Sequence, residues 1–200
     1  MKRLVLYVHG KGGSAEEAKH YQPLFAGSDV MGFDYQAQTP WEAKEEFAHF
    51  FDLHSSGYDS VILIANSIGA FLSMSALSEK KISLALFISP IVNMEQLISD
   101  MMLWANVTPE QLQRQGRIPT DFGETLDWDY YQYAKRNRIQ RWHPHTAILY
   151  AGQDNLTPRQ TVDSFCKRFH CGLTVMEDGE HWFHTKEQLA VLTEWTQKHT

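Results

Sequence analysis

Val61-Ile62-Leu63-Ile64-Ala65-Asn66-Ser67-Ile68-Gly69-Ala70-Phe71-Leu72-Ser73-Met74 is the stretch from which the fold follows. Its first four residues are aliphatic without a polar interruption, as in a strand covered on both faces. Its last five contain neither Gly nor Pro and read as helix. Between them Ala65 and Gly69 keep the flanks of Ser67 small. A sharp strand-to-helix turn strains its central residue and brings neighbouring backbone close, so small flanking residues are what it requires. Such a turn also exposes a serine hydroxyl at the carboxyl edge of a sheet, beside a helix N-terminus whose dipole favours developing negative charge.

Outward from this stretch the same rhythm repeats. Apolar runs predict strands over Leu4–Val8, Asp29–Asp34, Ser60–Ala65, Leu84–Ser89, Thr146–Ala151 and Leu173–Glu177, alternating with helical patterns. That alternation defines an α/β class: a doubly wound, mainly parallel six-stranded sheet with helices on both faces. Helix starts are marked by capping boxes at Ser14…Glu17, Thr39…Glu42, Thr108…Gln111, Thr157…Gln160 and Thr185…Gln188. Three of them carry proline at the expected first helical position, Pro40, Pro109 and Pro158. A further helix is expected from Ser67. The stretch 91–144 breaks the rhythm, with no convincing strand, and is expected to be a helical cap inserted into one domain spanning 1–200. Met94, Leu97, Ile98, Met101 and Met102 share one helical face there. That face packs against a neighbour or lines a substrate pocket.

The chain has 200 residues, 43% hydrophobic and 21% charged, enough for one packed core and unlike disordered or membrane-embedded compositions. Its net charge of −6 offers no footprint for nucleic acid or an anionic membrane surface. No run reaches the roughly 18 apolar residues of a membrane span, and Met1–Val8 lacks the pattern of a signal peptide. The expectation is a cytoplasmic protein. Cys166 and Cys171 are then expected as reduced thiols, although their spacing permits a bridge.

A serine needs a base, and the base needs a partner that fixes its tautomer. Asp154 follows the expected strand Thr146–Ala151, and His181 follows Leu173–Glu177, so both lie on loops at the edge that carries Ser67. His9-Gly10-Lys11-Gly12-Gly13-Ser14 ends the first strand, and the backbone N–H groups of Lys11 and Ile68 are the expected oxyanion donors. This loop fits neither Gly-x-Gly-x-x-Gly nor the Walker pattern, which weighs against phosphate binding. His9 and His184 compete with His181 as base, and Asp178 competes with Asp154 as acid. His143 and His145 match no strong zinc spacing, and no metal is expected. Lys135, Arg136, Arg138 and Arg141 read as a solvated face or, alternatively, a clamp for an anionic substrate.

These residues resemble the α/β-hydrolase family over nearly the whole chain. The order Ser67, Asp154, His181 is similar to that family's order of nucleophile, acid and base, and the His-Gly-x-Gly loop and the insertion after the fourth strand match its oxyanion loop and cap. The resemblance implies a minimal member lacking the family's first two antiparallel strands, with strand order 2-1-3-4-5-6. Ala65 stands where glycine is commoner, a small-for-small exchange. The implied activity is serine hydrolysis of carboxylic esters or thioesters with small to medium acyl groups, without a cofactor. The apolar face of the cap suggests in addition an acyl site formed partly by Met101, Met102 and Trp104. A non-hydrolytic ligand-binding or interaction module on the same fold and an acyltransferase are the alternatives.

Overall fold

A computed structural model describes residues 2–200. In chain order the elements are β1 (Arg3–Val8), β2 (Asp29–Phe33), α1 (Pro40–Ser55), β3 (Ser60–Asn66), α2 (Ile68–Leu77), β4 (Leu84–Ile88), α3 (Met94–Trp104), α4 (Pro109–Gln115), β5 (Arg117–Pro119), β6 (Thr125–Asp127), α5 (Trp128–Arg136), β7 (His145–Ala151), α6 (Arg159–Phe169), β8 (Gly172–Met176) and α7 (Lys186–Gln197). Two short 3₁₀ segments, Ala15–His20 and Gln22–Leu24, connect β1 to β2. The six long strands form one parallel sheet in the order β2-β1-β3-β4-β7-β8. The α/β class and the strand order read from the sequence are those of the structure.

The chain divides into two compact units, one running to Val92 and resuming over Arg141–Thr200, the other Asn93–Gln140. The first holds the sheet. Val5, Tyr7, Ile62, Ile64, Leu86, Ile88, Ala147 and Leu149 alternate along β1, β3, β4 and β7 and build one face, against Ala18, Tyr21 and Phe25 of the 3₁₀ region and Leu192 and Trp195 of α7. On the other face Leu6, Val8 and Leu63 meet Phe47 and Phe51 of α1 and Leu77 of α2. Both faces are therefore apolar and covered, which is why the strands read as continuous hydrophobic runs.

In the second unit α3 packs on α5 and β6. Met94, Ile98 and Met102 are the buried stripe of α3, joined in burial by Leu112, Leu126, Tyr131 and Ala134. The reading of 91–144 as strandless needs correction, because β5 and β6 pair as a small antiparallel hairpin with Ile118 opposite Leu126. Its strands are three residues each, too short for a periodicity, and Gly123 turns the chain at φ 83°.

The boxes at Thr39, Thr108 and Thr185 cap α1, α4 and α7 as expected. The box at Ser14 opens a 3₁₀ turn rather than an α-helix. Thr157…Gln160 is not a cap: α6 starts at Arg159 after Pro158, with no side-chain cap. Thr157 is instead buried, donating its hydroxyl to the Pro90 carbonyl at 3.3 Å and its N–H to Asp154 at 3.1 Å.

Candidate active site

Ser67 sits between β3 and α2 at φ 51° and ψ −122°, a region that costs a non-glycine residue about 1–3 kcal/mol. The turn is held from both sides: Ser67 N–H donates to the Ile88 carbonyl at 3.0 Å, and Ile91 N–H donates to the Ser67 carbonyl at 3.1 Å. A Cβ on Gly69 would lie 2.4 Å from the His9 carbonyl oxygen and 2.9 Å from that of Val8, so only glycine lets α2 start so close to the end of β1. Ile68 is the first residue of α2, and its N–H is among those that lack an intrahelical acceptor.

The strained turn brings Ser67 Oγ to 2.8 Å from His181 Nε2. His181 Nδ1 lies 2.8 Å from Asp154 Oδ2. An ionised carboxylate only accepts, so Nδ1 carries the proton and donates to Asp154, which leaves Nε2 to accept from the serine hydroxyl. The Asp154 side chain is fully buried and that of His181 is 16% exposed. Burying a carboxylate requires partners for both oxygens. Oδ2 has the imidazole, and Oδ1 accepts from the N–H groups of Leu156 and Thr157 at 2.8 and 3.1 Å.

The loops bearing Asp154 and His181 are joined to each other. Gly152 N–H donates to the Met176 carbonyl and Gln153 N–H to the Gly179 carbonyl, both at 2.8 Å, and the Gln153 side chain reaches the Glu177 carbonyl at 3.3 Å. A Cβ on Gly152 would stand 2.3 Å from that same Glu177 oxygen. The acid and the base therefore hold one mutual position.

The rival residues lie elsewhere. The His9 ring is stacked on Tyr35 with centroids 4.3 Å apart, and its Nδ1 is 2.8 Å from the Gly10 carbonyl oxygen. His184 holds its Nδ1 2.7 Å from the Trp182 carbonyl oxygen and stacks on that indole. Asp178 is exposed. Arg138 pairs with Glu95, Arg141 with Glu79, and Lys135 lies over the Tyr131 ring, so three of the four basic residues have partners other than a substrate anion. Cys166 and Cys171 are free thiols. No group of three or more His, Cys, Asp or Glu side chains able to hold a metal ion occurs among the described residues.

Ser67 and His181 open on a cavity of about 270 Å³, lined also by Lys11, Glu17, Asn66 and Trp182. Behind this wall runs a polar chain that the sequence does not announce. Asn66 donates to the Tyr7 oxygen, the Tyr7 hydroxyl donates to Glu17, and the other Glu17 oxygen accepts from Ser14 N–H at 3.1 Å. It links the residue before Ser67 to the loop that carries Lys11. Burial, then Tyr21 and Glu17, raise the Tyr7 hydroxyl far above its ordinary range and keep it a donor. The sequence marks Ser14 and Glu17 as a capping box but not their link through Tyr7 to Asn66. Of the remaining expected site residues, Met102 is buried, Met101 half-buried and Trp104 exposed, all on α3.

No protein-family model matches this sequence, and no curated protein resembles it closely enough to count as a match. Solved structures do match. Est1E from Butyrivibrio proteoclasticus superposes with a TM-score of 0.78 at 16% identity, over 99% of this chain and 86% of that one. The alpha/beta hydrolase domain-containing protein 10 from mouse gives 0.74 at 14% identity, over 98% and 88%. The esterase domain of a Rhodothermus marinus protein gives 0.65 at 12% identity, over 98% and 86%. With the strand order above, these likenesses establish the α/β-hydrolase fold for this chain.

Proposed function

We propose that the chain is a serine hydrolase of carboxylic esters or thioesters with small to medium acyl groups, acting through Ser67, His181 and Asp154. The observation that carries this reading is the continuous hydrogen-bond relay from Ser67 Oγ through His181 to a buried, doubly held Asp154, each link 2.8 Å long. Similarity of fold to the esterase domain of the Rhodothermus marinus protein and to the mouse alpha/beta hydrolase domain-containing protein supports hydrolysis as the reaction class.

In the mechanism His181 Nε2 takes the hydroxyl proton as Ser67 Oγ attacks the substrate carbonyl carbon. Asp154 stabilises the imidazolium without accepting its proton. The N–H groups of Ile68 and Lys11 receive the oxyanion, and the α2 dipole favours its charge. The tetrahedral intermediate collapses to the acyl-enzyme as His181 protonates the departing alcohol or thiol. Water, deprotonated by the same histidine, then attacks the acyl carbon, and the acid leaves as Ser67 regains its proton. Every step is carried by side chains and backbone amides, so the scheme calls on no metal or organic cofactor. We place the activity in the cytoplasm. Among the described residues no helix is long and apolar enough to cross a membrane.

The test is turnover of a short acyl ester and its thioester. Ser67→Ala is expected to lose roughly 10⁵–10⁶-fold in kcat with an unchanged circular dichroism spectrum. Wild-type rates in that variant would remove the assignment.

A further inference from the structure

Among the described residues Trp182 is the one large apolar side chain in the cavity wall, and it is 67% exposed. A single exposed tryptophan is ordinary on a protein surface. This one is held in place. The His184 imidazole is stacked on the indole with centroids 4.7 Å apart and planes 20° apart, so one face is covered and the exposed area lies on the other face and the edges. His184 is fixed in turn. Its Nδ1 meets the Trp182 carbonyl oxygen at 2.7 Å, and its backbone N–H donates at 3.0 Å to Gln188, which is buried and is the glutamine of the capping box that starts α7. The start of α7 thus supports an aromatic pair immediately after His181, and Trp182 lines the cavity on which Ser67 opens.

We propose that Trp182, backed by His184, is an aromatic-binding wall that selects substrates bearing a planar aromatic ring on the acyl or alcohol side of the scissile bond. This rests on the reading of Ser67 as the hydrolytic nucleophile. A ring stacked on a preorganised indole gains dispersion and quadrupole attraction that a saturated ring of similar size does not. The expected preference is about three- to tenfold.

The test compares methyl phenylacetate with methyl cyclohexylacetate, and benzyl acetate with cyclohexylmethyl acetate. Each pair keeps ring size while removing the π face, on the acyl side in one and the alcohol side in the other. Wild type should show the higher kcat/KM for the aromatic member of at least one pair. Trp182→Leu should bring that pair to equality, and Trp182→Phe should restore part of the difference. The matching ketones, with a methylene in place of the ester oxygen, are titrated against wild type and Trp182→Leu by NMR. Their binding needs no turnover. Aromatic preference for the ketones without ester hydrolysis would support the wall while removing the hydrolase reading. Equal behaviour within both pairs, or a preference that survives Trp182→Leu, would overturn the proposal.

Discussion

The carboxyl edge of the main sheet and the Asn93–Gln140 unit use the same local devices, capped helices and apolar stripes, under different constraints. At the sheet edge atoms are fixed one by one: Ser67 is strained, Asp154 has every oxygen occupied, and Gly69 and Gly152 sit where a methyl group would strike a carbonyl oxygen. In the other unit the requirement is volume. Met94, Ile98 and Met102 fill one side of α3, while Leu103 and Trp104 are exposed. Where positions are dictated by bonding geometry a substitution removes function outright; where they are dictated by packing its cost is graded.

The largest break in this comparison should come from Asp154→Asn. The amide can still accept from Leu156 and Thr157, but it no longer offers a carboxylate to fix the His181 tautomer, and kcat should fall about 10⁴-fold with a small change in KM. Loss of less than tenfold on a short acyl ester would mean that another residue orients the imidazole. Next comes Gly69→Ala. The added methyl must displace the backbone of the β1 end, so the melting temperature should drop steeply and the serine should lose its contact with His181 together with it. An unchanged melting temperature would show that the close approach of α2 to His9 is dispensable.

The second unit should respond differently. Met102→Ala removes a buried side chain and is expected to cost about 2–5 kcal/mol in denaturant unfolding, whereas Trp104→Ala should leave stability within about 0.5 kcal/mol. The smallest effect is a pH dependence. Tyr7 and Tyr21 have hydroxyls pushed up chiefly by burial, and Tyr35 is pushed up to about 12, by burial first and then by Glu46 and Glu17. Above pH 10 the unfolded chain releases these protons while the folded chain retains them, so stability falls as pH rises from about 10 through 12. Melting temperatures from pH 8 to 11 should be flat at first and then decline, and Tyr7→Phe should decline less.

The two regions also differed in what the sequence disclosed. The sheet strands were placed to within a residue or so because both faces are covered, which makes each strand an unbroken apolar run. That Ser67, Asp154 and His181 would meet was legible because each follows a strand end at the same edge of the sheet. The network Asn66, Tyr7 and Glu17 was not, since Tyr7 reads as one more apolar strand residue and only the pairing of β1 with β3 brings it beside Asn66. Gln153 was hidden likewise, its partners lying on the following strand's loop. Thr157 misled because its sequence satisfies a helix cap while its hydrogen bonds go to Asp154 and Pro90. In the second unit the stripe on α3 was readable from its spacing, but the hairpin of β5 and β6 is too short to imprint a period.

The central claim is that Ser67 is activated by His181, and the most direct measurement is the intact mass of the protein after exposure to a fluorophosphonate. Wild type should gain one adduct, Ser67→Ala none, and His181→Ala should label far more slowly while remaining folded. A folded wild-type protein that takes no adduct, or an adduct that persists in Ser67→Ala, would contradict it.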